Sequence, residues 1–513
     1  MTKFAKVRNP LIPLDYPDPD VIRVGDTYYM VTTTMHFMPG CEILRSFDLV
    51  HWEHATYVYE RLDSTLGQRL AGSENSYGKG MWAACLRHHQ GKFYAFFVAN
   101  DTRKTYLYTA ETITGPWEKK IIPGFYHDCS VLFDEGRVFI VYGNTDIWLT
   151  ELAADLSGPK PGGLHRVIIS EKNNPNLGYE GAHFYKINGK YYVFLIHSDP
   201  NEWRRIEACF MAEDLEGVFA GQDVFNDDLG YCNQGVAQGG IVDTPAGDWY
   251  AVLFQDRGAV GRLPILLPVT WRGDFPVIGN QGRNPKEVQV TLPEVPHDYL
   301  PLVGSDDFKV AAKTPYHLAP QWQFNHEPDL NGFNYHPERG TFRITTTKIA
   351  QSLTESQNTL TQRMQYPTCS GTITLNGAEM QEGDYAGLAA FQSAYGMIAL
   401  TKEAGQYYLV LRTRELDNLG LQAMSTVERE EVEWARLLLE GPEITLKVTA
   451  DFHEMTDLTR FYYQKDGTFL QLGEAHQVAF KMDHFTGCRF GLFAYSTKRS
   501  GGSAVFQNFI YQS

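Results

Sequence analysis

The sequence predicts an all-β chain, a five-bladed β-propeller followed by a β-sandwich of jelly-roll or concanavalin-like form. Three observations carry the prediction. A unit of apolar strand, glycine-centred turn and aromatic strand recurs five times in the first 300 residues. Aromatic residues make up 13% of the chain and stand beside 46 glycines, a balance that suits strands and turns over helices. Past residue 305 the unit disappears and plain alternating strands take its place. At 513 residues the chain also exceeds the size at which one hydrophobic core stops growing, so two or more domains are required.

The five copies read DVIRVGDTYYMVTT from Asp20, ACLRHHQGKFYAFFVA from Ala84, SVLFDEGRVFIVYG from Ser130, AHFYKINGKYYVFLI from Ala182 and GGIVDTPAGDWYAVLF from Gly239. Their turn glycines, Gly25, Gly91, Gly136, Gly189 and Gly247, are spaced at blade-sized intervals. Acidic-aromatic turns such as RSFDLVHWE (Arg45 to Glu53) and TAETITGPWE (Thr109 to Glu118) continue the copies into further strands, giving up to four per blade. Five such blades arranged radially surround a funnel onto which the start of each innermost strand projects. The competing arrangement is a β-sandwich followed by unrelated β-domains. Residues 1–290 are read as the propeller and 291–304 as a linker, within the Pro-rich and polar stretch KEVQVTLPEVPHDYLPLVGS. Residues 305–513 are read as the sandwich, with strands such as SGTITLNGAEM (370–380), QYYLVLRT (406–413) and EITLKVTA (443–450).

Charge and composition narrow the partners. A formal net charge of -16 argues against nucleic acid, whose binders need a basic surface to displace phosphate counterions. The N-terminal MTKFAKVRNPLIPLDYPDPD lacks the apolar core of a secretory signal, and no stretch reaches the ~18 apolar residues of a membrane span. The expectation is a soluble, cytoplasmic protein with a neutral small-molecule partner and no membrane contact; a homo-oligomer stays open. The seven cysteines are scattered with no CxxC pair and read as reduced thiols. Cys129 follows a candidate catalytic aspartate, and alternation along a strand points it away from that neighbour.

Residues just before each innermost strand should converge on the funnel, and three of those positions are carboxylates. Asp18 precedes the first copy in YPDPDVIR, Asp128 the third in YHDCSV and Glu180 the fourth in YEGAHF. A carboxylate this close to apolar strands must be paired, hydrogen-bonded or functional, because an isolated buried charge is costly. A single one is ordinarily a turn cap, but matched placement in three blades is not. Glycoside hydrolysis uses such a set: a protonated acid for the leaving oxygen, an ionised base for water, and a third charge that raises the acid's pKa.

YPDPDVIR with Asp18, WAACLRHHQGKFY with Trp82, YHDCSVLFDEGR with Asp128, YEGAHFYKINGKYY with Glu180 and VGRLPILLPVTW with Arg262 resemble, in this order, the signature of family 43 glycoside hydrolases. The resemblance runs from Asn9 to Trp271 and implies a five-bladed propeller. It further implies that Asp18 is the general base, with Asp20 its close competitor, that Asp128 tunes and orients, and that Glu180 is the general acid. Arg262 is implied to contact sugar hydroxyls and a carboxylate, and Trp82 and Phe37 to line the pocket. The family often carries a central histidine in the fifth blade, near a calcium or water cluster; this chain departs from it with Gln238 in VAQGGIVD, placed among the substrate-binding residues. No cofactor is required and no metal ligand set is assigned, while a structural calcium stays open.

The C-terminal DDF (306–308), PQWQFNH (320–326), NTLTQR (358–363) and GDYAGLAAFQ (383–392) resemble the sandwich appended to the family's β-xylosidase branch. The resemblance implies an inverting, exo-acting β-xylosidase that can also release α-L-arabinofuranose from xylo- or arabinoxylo-oligosaccharides, with a sandwich loop closing one side of the funnel. Inversion predicts Asp18 and Glu180 carboxyls about 6.5–9.5 Å apart. The alternatives are an α-L-arabinofuranosidase or an arabinanase and, from another class, a propeller that only binds carbohydrate.

Overall fold

Each copy of the repeat folds as the inner hairpin of a four-stranded antiparallel sheet in the computed structural model, which describes residues 4–285, 287–293, 296–415, 429–481 and 484–513. The first blade contains Asp20–Val24, Thr27–Val31, Gly40–Ser46 and Glu53–Tyr59. The second contains Cys85–His89, Lys92–Ala99, Lys104–Ala110 and Glu118–Ile122, and the third Ser130–Asp134, Arg137–Asn144, Asp146–Leu152 and His165–Ser170. Glu180–Ile187, Lys190–Ser198, Arg205–Ala212 and Ala220–Phe225 form the fourth; Val236–Asp243, Trp249–Asp256, Arg262–Arg272 and Phe275–Ile278 form the fifth. The tight inner turns need left-handed backbone, which Gly25 supplies with φ of 61° at no side-chain cost.

The innermost strands touch one another in sequence, and the ring closes where Val236–Asp243 meets Asp20–Val24. The blades stack face to face, so middle strands bury both faces. Lys190–Ser198, KYYVFLIHS, is therefore a near-continuous apolar run and not an alternating one. The packing between the first two blades, Ile43 and Val58 against Leu86 and Phe97, is typical.

The sandwich has two large sheets. One runs through Asp384–Phe391 and Arg489–Ser496, the other through Thr368–Asn376 and Ser503–Gln512. Phe324, Leu388, Phe461, Phe490 and Phe506 fill the space between them. The propeller supplies the outermost strand of the first sheet: Phe37–Met38 pairs with Gln323–Asn325, Met38 opposite Phe324. The Pro-rich and polar stretch around the expected linker is tied to the propeller at more than one point. Val288–Thr291 pairs with Phe4–Val7, because VQVT alternates buried and exposed residues as an edge strand does. Further on, His297 Nε2 and the Leu300 amide bond Glu53 of the first blade at 3.0 Å each. Among the described residues no helix is long and apolar enough to cross a membrane.

Candidate active site

Local backbone strain turns the functional side chains inward. Asp18 and Asp128 stand two residues ahead of their inner strands in left-handed conformation, with φ of 52° and 48°. Gln238 has φ of 54° beside a register shift between Ala237 and Gly239. Such conformations cost non-glycine residues of order 1–3 kcal/mol and persist where the surroundings over-determine them. Glu180 opens its strand at another register shift. Gly181 follows it with φ of 64°, and a Cβ there would lie 2.7 Å from the Gln238 side chain, so glycine is required on both counts.

These devices bring Asp18, Trp82, Asp128, Glu180, Gln238 and Arg262 onto one cavity of about 270 Å³. It lies below the ~300–1,000 Å³ usual for drug-sized ligands, a size suited to one small ring. Phe37 is not among the lining residues, contrary to the expectation. It is fully buried at the seam between domains, where its strand joins the sandwich and the Arg489 guanidinium sits 3.7 Å from its ring centre. Asp20, the competing base, faces away from the cavity chemistry: Arg87 bonds it at 2.7 Å, His183 at 3.0 Å and the Leu86 amide at 2.8 Å.

Asp18 is 5% exposed and doubly held, accepting from Arg262 Nη1 at 2.5 Å and from Thr33 Oγ1 at 2.6 Å. Across the cavity floor His127, Asp128 and Glu180 each bring one polar atom within 4.8 Å of the others. His127 Nε2 stands 3.7 Å from Asp128 Oδ2 and 3.7 Å from Glu180 Oε2. Burial alone would depress this imidazole, but Asp128 and Glu180 outweigh it and push its pKa up to about 9. Burial raises Asp128 to about 7, helped by the charges of Glu180 and Asp18 and opposed by His127. Burial also acts to raise Glu180, but His127, Arg205 and the bond from Asn144 Nδ2 win and lower it. Asp128 and Glu180 thus sit close enough, around one imidazole, to share a proton between them.

His127, Asn144, Trp203, Arg205 and Phe485 also line the cavity and were missed. His127 was legible only as the neighbour of Asp128 in YHDCS. Asn144 ends a middle strand, Trp203 and Arg205 flank the start of another, and none of these carries a signal without the fold. Phe485 comes from the sandwich, so the second domain contributes to the cavity wall. Its carbonyl accepts from Arg262 Nη2 at 3.0 Å, and its ring lies 4.2 Å from the same guanidinium. Trp82 stacks on Phe485 with centroids 6.1 Å apart and meets His127 edge-on. Asp15 clamps this corner, accepting from the Arg262 amide at 2.7 Å and the Gly487 amide at 2.8 Å. Beneath Gln238, fully buried Glu207 accepts its amide at 2.7 Å, and burial pushes that carboxyl far above the usual range. Cys129 is buried with its thiol pushed far up, which keeps it protonated and unsuited to attack.

Known proteins agree with this architecture. The chain is 38% identical to a solved bifunctional GH43-CE structure from Bacteroides eggerthii with a TM-score of 0.89, covering all of this chain and 64% of that longer one. Among curated proteins it is 25% identical to a beta-xylosidase of Formosa agariphila, over 98% of this chain and 90% of that one. It is 27% identical to a non-reducing end alpha-L-arabinofuranosidase of Bacteroides ovatus, over 79% of this chain and 78% of that one. The family model of the beta xylosidase C-terminal concanavalin A-like domain matches residues 305–512. The glycosyl hydrolases family 43 model matches residues 7–276, more than half of the sequence and the part that carries all three carboxylates, and the chain belongs to that family.

Proposed function

We propose that the protein removes terminal xylose from xylo- or arabinoxylo-oligosaccharides by single-displacement hydrolysis with inversion. The observation that supports the reading is the meeting of Asp18, Asp128 and Glu180 in one small cavity with a wall from the second domain. A pocket closed on that side admits a chain end more readily than the middle of a polymer. Asp18 takes a proton from water, whose oxygen attacks the anomeric carbon. As the glycosidic bond breaks, Glu180 gives its proton to the departing oxygen. Arg262 orients Asp18, and Trp82 and Phe485 offer aromatic surface to the apolar face of the ring.

The proton inventory follows from the electrostatics. Below pH about 7 the Asp128–Glu180 pair holds one proton, shared between its two carboxyls in the free site. A glycosidic oxygen that enters beside Glu180 displaces the Asn144 contact and draws the proton to Glu180. Asp128 is then left as a carboxylate facing the His127 cation, so the cluster's charge does not change before the chemical step.

A hydrolysis screen on xylobiose, arabinoxylo-oligosaccharides and linear arabinan, with products followed by proton NMR, tests the reading. The first-formed sugar should have the anomeric configuration opposite to that of the substrate; retention would sink the mechanism. Glu180→Gln should abolish turnover of xylobiose and spare binding. The likeness to an arabinofuranosidase supports a second reading in which arabinofuranose is the preferred leaving unit. Nitrophenyl-xyloside and nitrophenyl-arabinofuranoside rates measured side by side separate the two.

A further inference from the structure

We propose that Trp203 is the platform on which the leaving-group sugar stacks, making it a specificity-determining residue for the reaction proposed above, on which this inference rests. The cavity wall divides by origin. Asp18, Trp82, Arg262 and Phe485 come from the first, second and fifth blades and the sandwich, and Phe485 closes that side. Asn144, Leu177, Glu180, Trp203 and Arg205 come from the third and fourth blades and the connection between them. In an inverting reaction the proton donor stands on the side where the leaving group departs. The second sugar therefore passes the wall that carries Glu180, and Trp203 is the aromatic ring on that wall.

Trp203 is half-buried and lines the cavity, and the Arg205 guanidinium lies 5.5 Å from its ring centre. Arg205 is itself fixed by Asp256 at 2.6 Å, so the indole rests against a rigid cation. The loop that presents the indole is pinned on both flanks. Asn176 Nδ2 donates to the Asp199 and Glu202 carbonyls at 2.8 and 3.2 Å, and Asn174 Nδ2 donates to the Ser198 carbonyl at 2.7 Å. From the other side Asn233 Nδ2 donates to Glu202 Oε2 at 2.8 Å, and Arg204 Nη2 to Asn226 Oδ1 at 2.5 Å. A core tryptophan needs no such frame of polar bonds around its loop. A binding surface gains from one, because a pre-ordered ring loses little freedom when a ligand arrives. The ligand class that suits a flat indole at a wet rim is a pyranose ring, which has an apolar face and hydroxyls around its edge.

The experiment compares xylobiose, whose departing half is a sugar, with β-D-xylosyl fluoride, whose departing half is an atom that needs neither platform nor proton. For Trp203→Ala, kcat/KM on xylobiose should fall at least about fivefold more than on the fluoride, carried mainly by KM. Trp203→Phe should recover most of the difference. An equal fall on both substrates, or no fall on xylobiose, overturns the platform while the parent mechanism stands. Glu180→Gln is the arm for that mechanism: it should lose xylobiose hydrolysis and keep fluoride hydrolysis. Its retaining both, or a native enzyme that cleaves neither, removes the parent reading and the platform with it.

Discussion

Replacing His127 by glutamine should move the alkaline limb of activity upward. The imidazole stands 3.7 Å from an oxygen of Asp128 and of Glu180, and it is charged to about pH 9. At an effective dielectric constant of ~20, a unit charge at that distance favours each ionised carboxylate by about 4 kcal/mol. That energy corresponds to roughly three pKa units. Partial exposure, 21% for His127 and 18% for Glu180, and sharing between two acceptors reduce it to about one to two units. Removing the cation therefore strengthens the pair's hold on its proton, which is otherwise lost near pH 7. Because the reaction needs that proton, kcat/KM on xylobiose should decline about one to two pH units later than in the native enzyme. The assay is the pH profile from 5 to 10, repeated with xylosyl fluoride, whose departure needs no proton and should show no such limb. A limb that stays in place, or moves to lower pH, would refute the placement of His127 as the charge that sets the acid.

Four further substitutions separate structural roles from chemical ones. Asp128→Asn should inactivate the enzyme and stabilise it. A carboxyl raised from 3.8 to about 7 loses stability for the fold as pH climbs through that window, so the gain should grow by on the order of 2–3 kcal/mol between pH 5 and 8 in urea melts; a gain independent of pH would count against it. Phe37→Ala should cost about 3–5 kcal/mol of stability through the cavity it leaves, with KM unchanged in the folded fraction. A raised KM at native stability would return Phe37 to the pocket wall. Asp20→Asn strips a buried partner from Arg87 and should destabilise by about 3–5 kcal/mol; a fully folded but inactive variant would make Asp20 the base instead of Asp18. Phe485→Ala should raise KM by about threefold to thirtyfold, the loss of a ring over Arg262, without unfolding the sandwich, and an unchanged KM would show that this wall does not touch the sugar.

The propeller was legible because its signal is local and repeated: each blade carries its own glycine turn and aromatic strand, so five weak signals reinforce one another. The three carboxylates were legible for the same reason, as equivalent positions ahead of three inner strands. What escaped was whatever the closed ring alone creates. YHDCS shows only one of the charges that make His127 a cation, its neighbour Asp128; the other, Glu180, lies 53 positions away in the chain. Phe37 went wrong in the opposite way. The family resemblance implied that it lines the pocket, but Phe37–Met38 pairs with Gln323–Asn325 as the edge of a sandwich sheet.

Why the sandwich belongs to this site follows from Arg262. Its guanidinium is nearly excluded from water, and a buried cation needs more than one partner to be tolerated. The propeller gives it Asp18; the sandwich gives it the Phe485 carbonyl and ring. The turn that leads into Arg262 is tied down in the same way. The Ala259 amide donates to Asp457 at 2.9 Å, and its carbonyl accepts from the Cys488 amide at 2.8 Å and from Gln392 at 2.9 Å. All three of those partners are sandwich residues. Without them Arg262 would face water on one side and its hold on Asp18 would weaken as screening rose. The sandwich therefore helps set the position and the dielectric surroundings of Asp18 through Arg262, the residue that both domains hold.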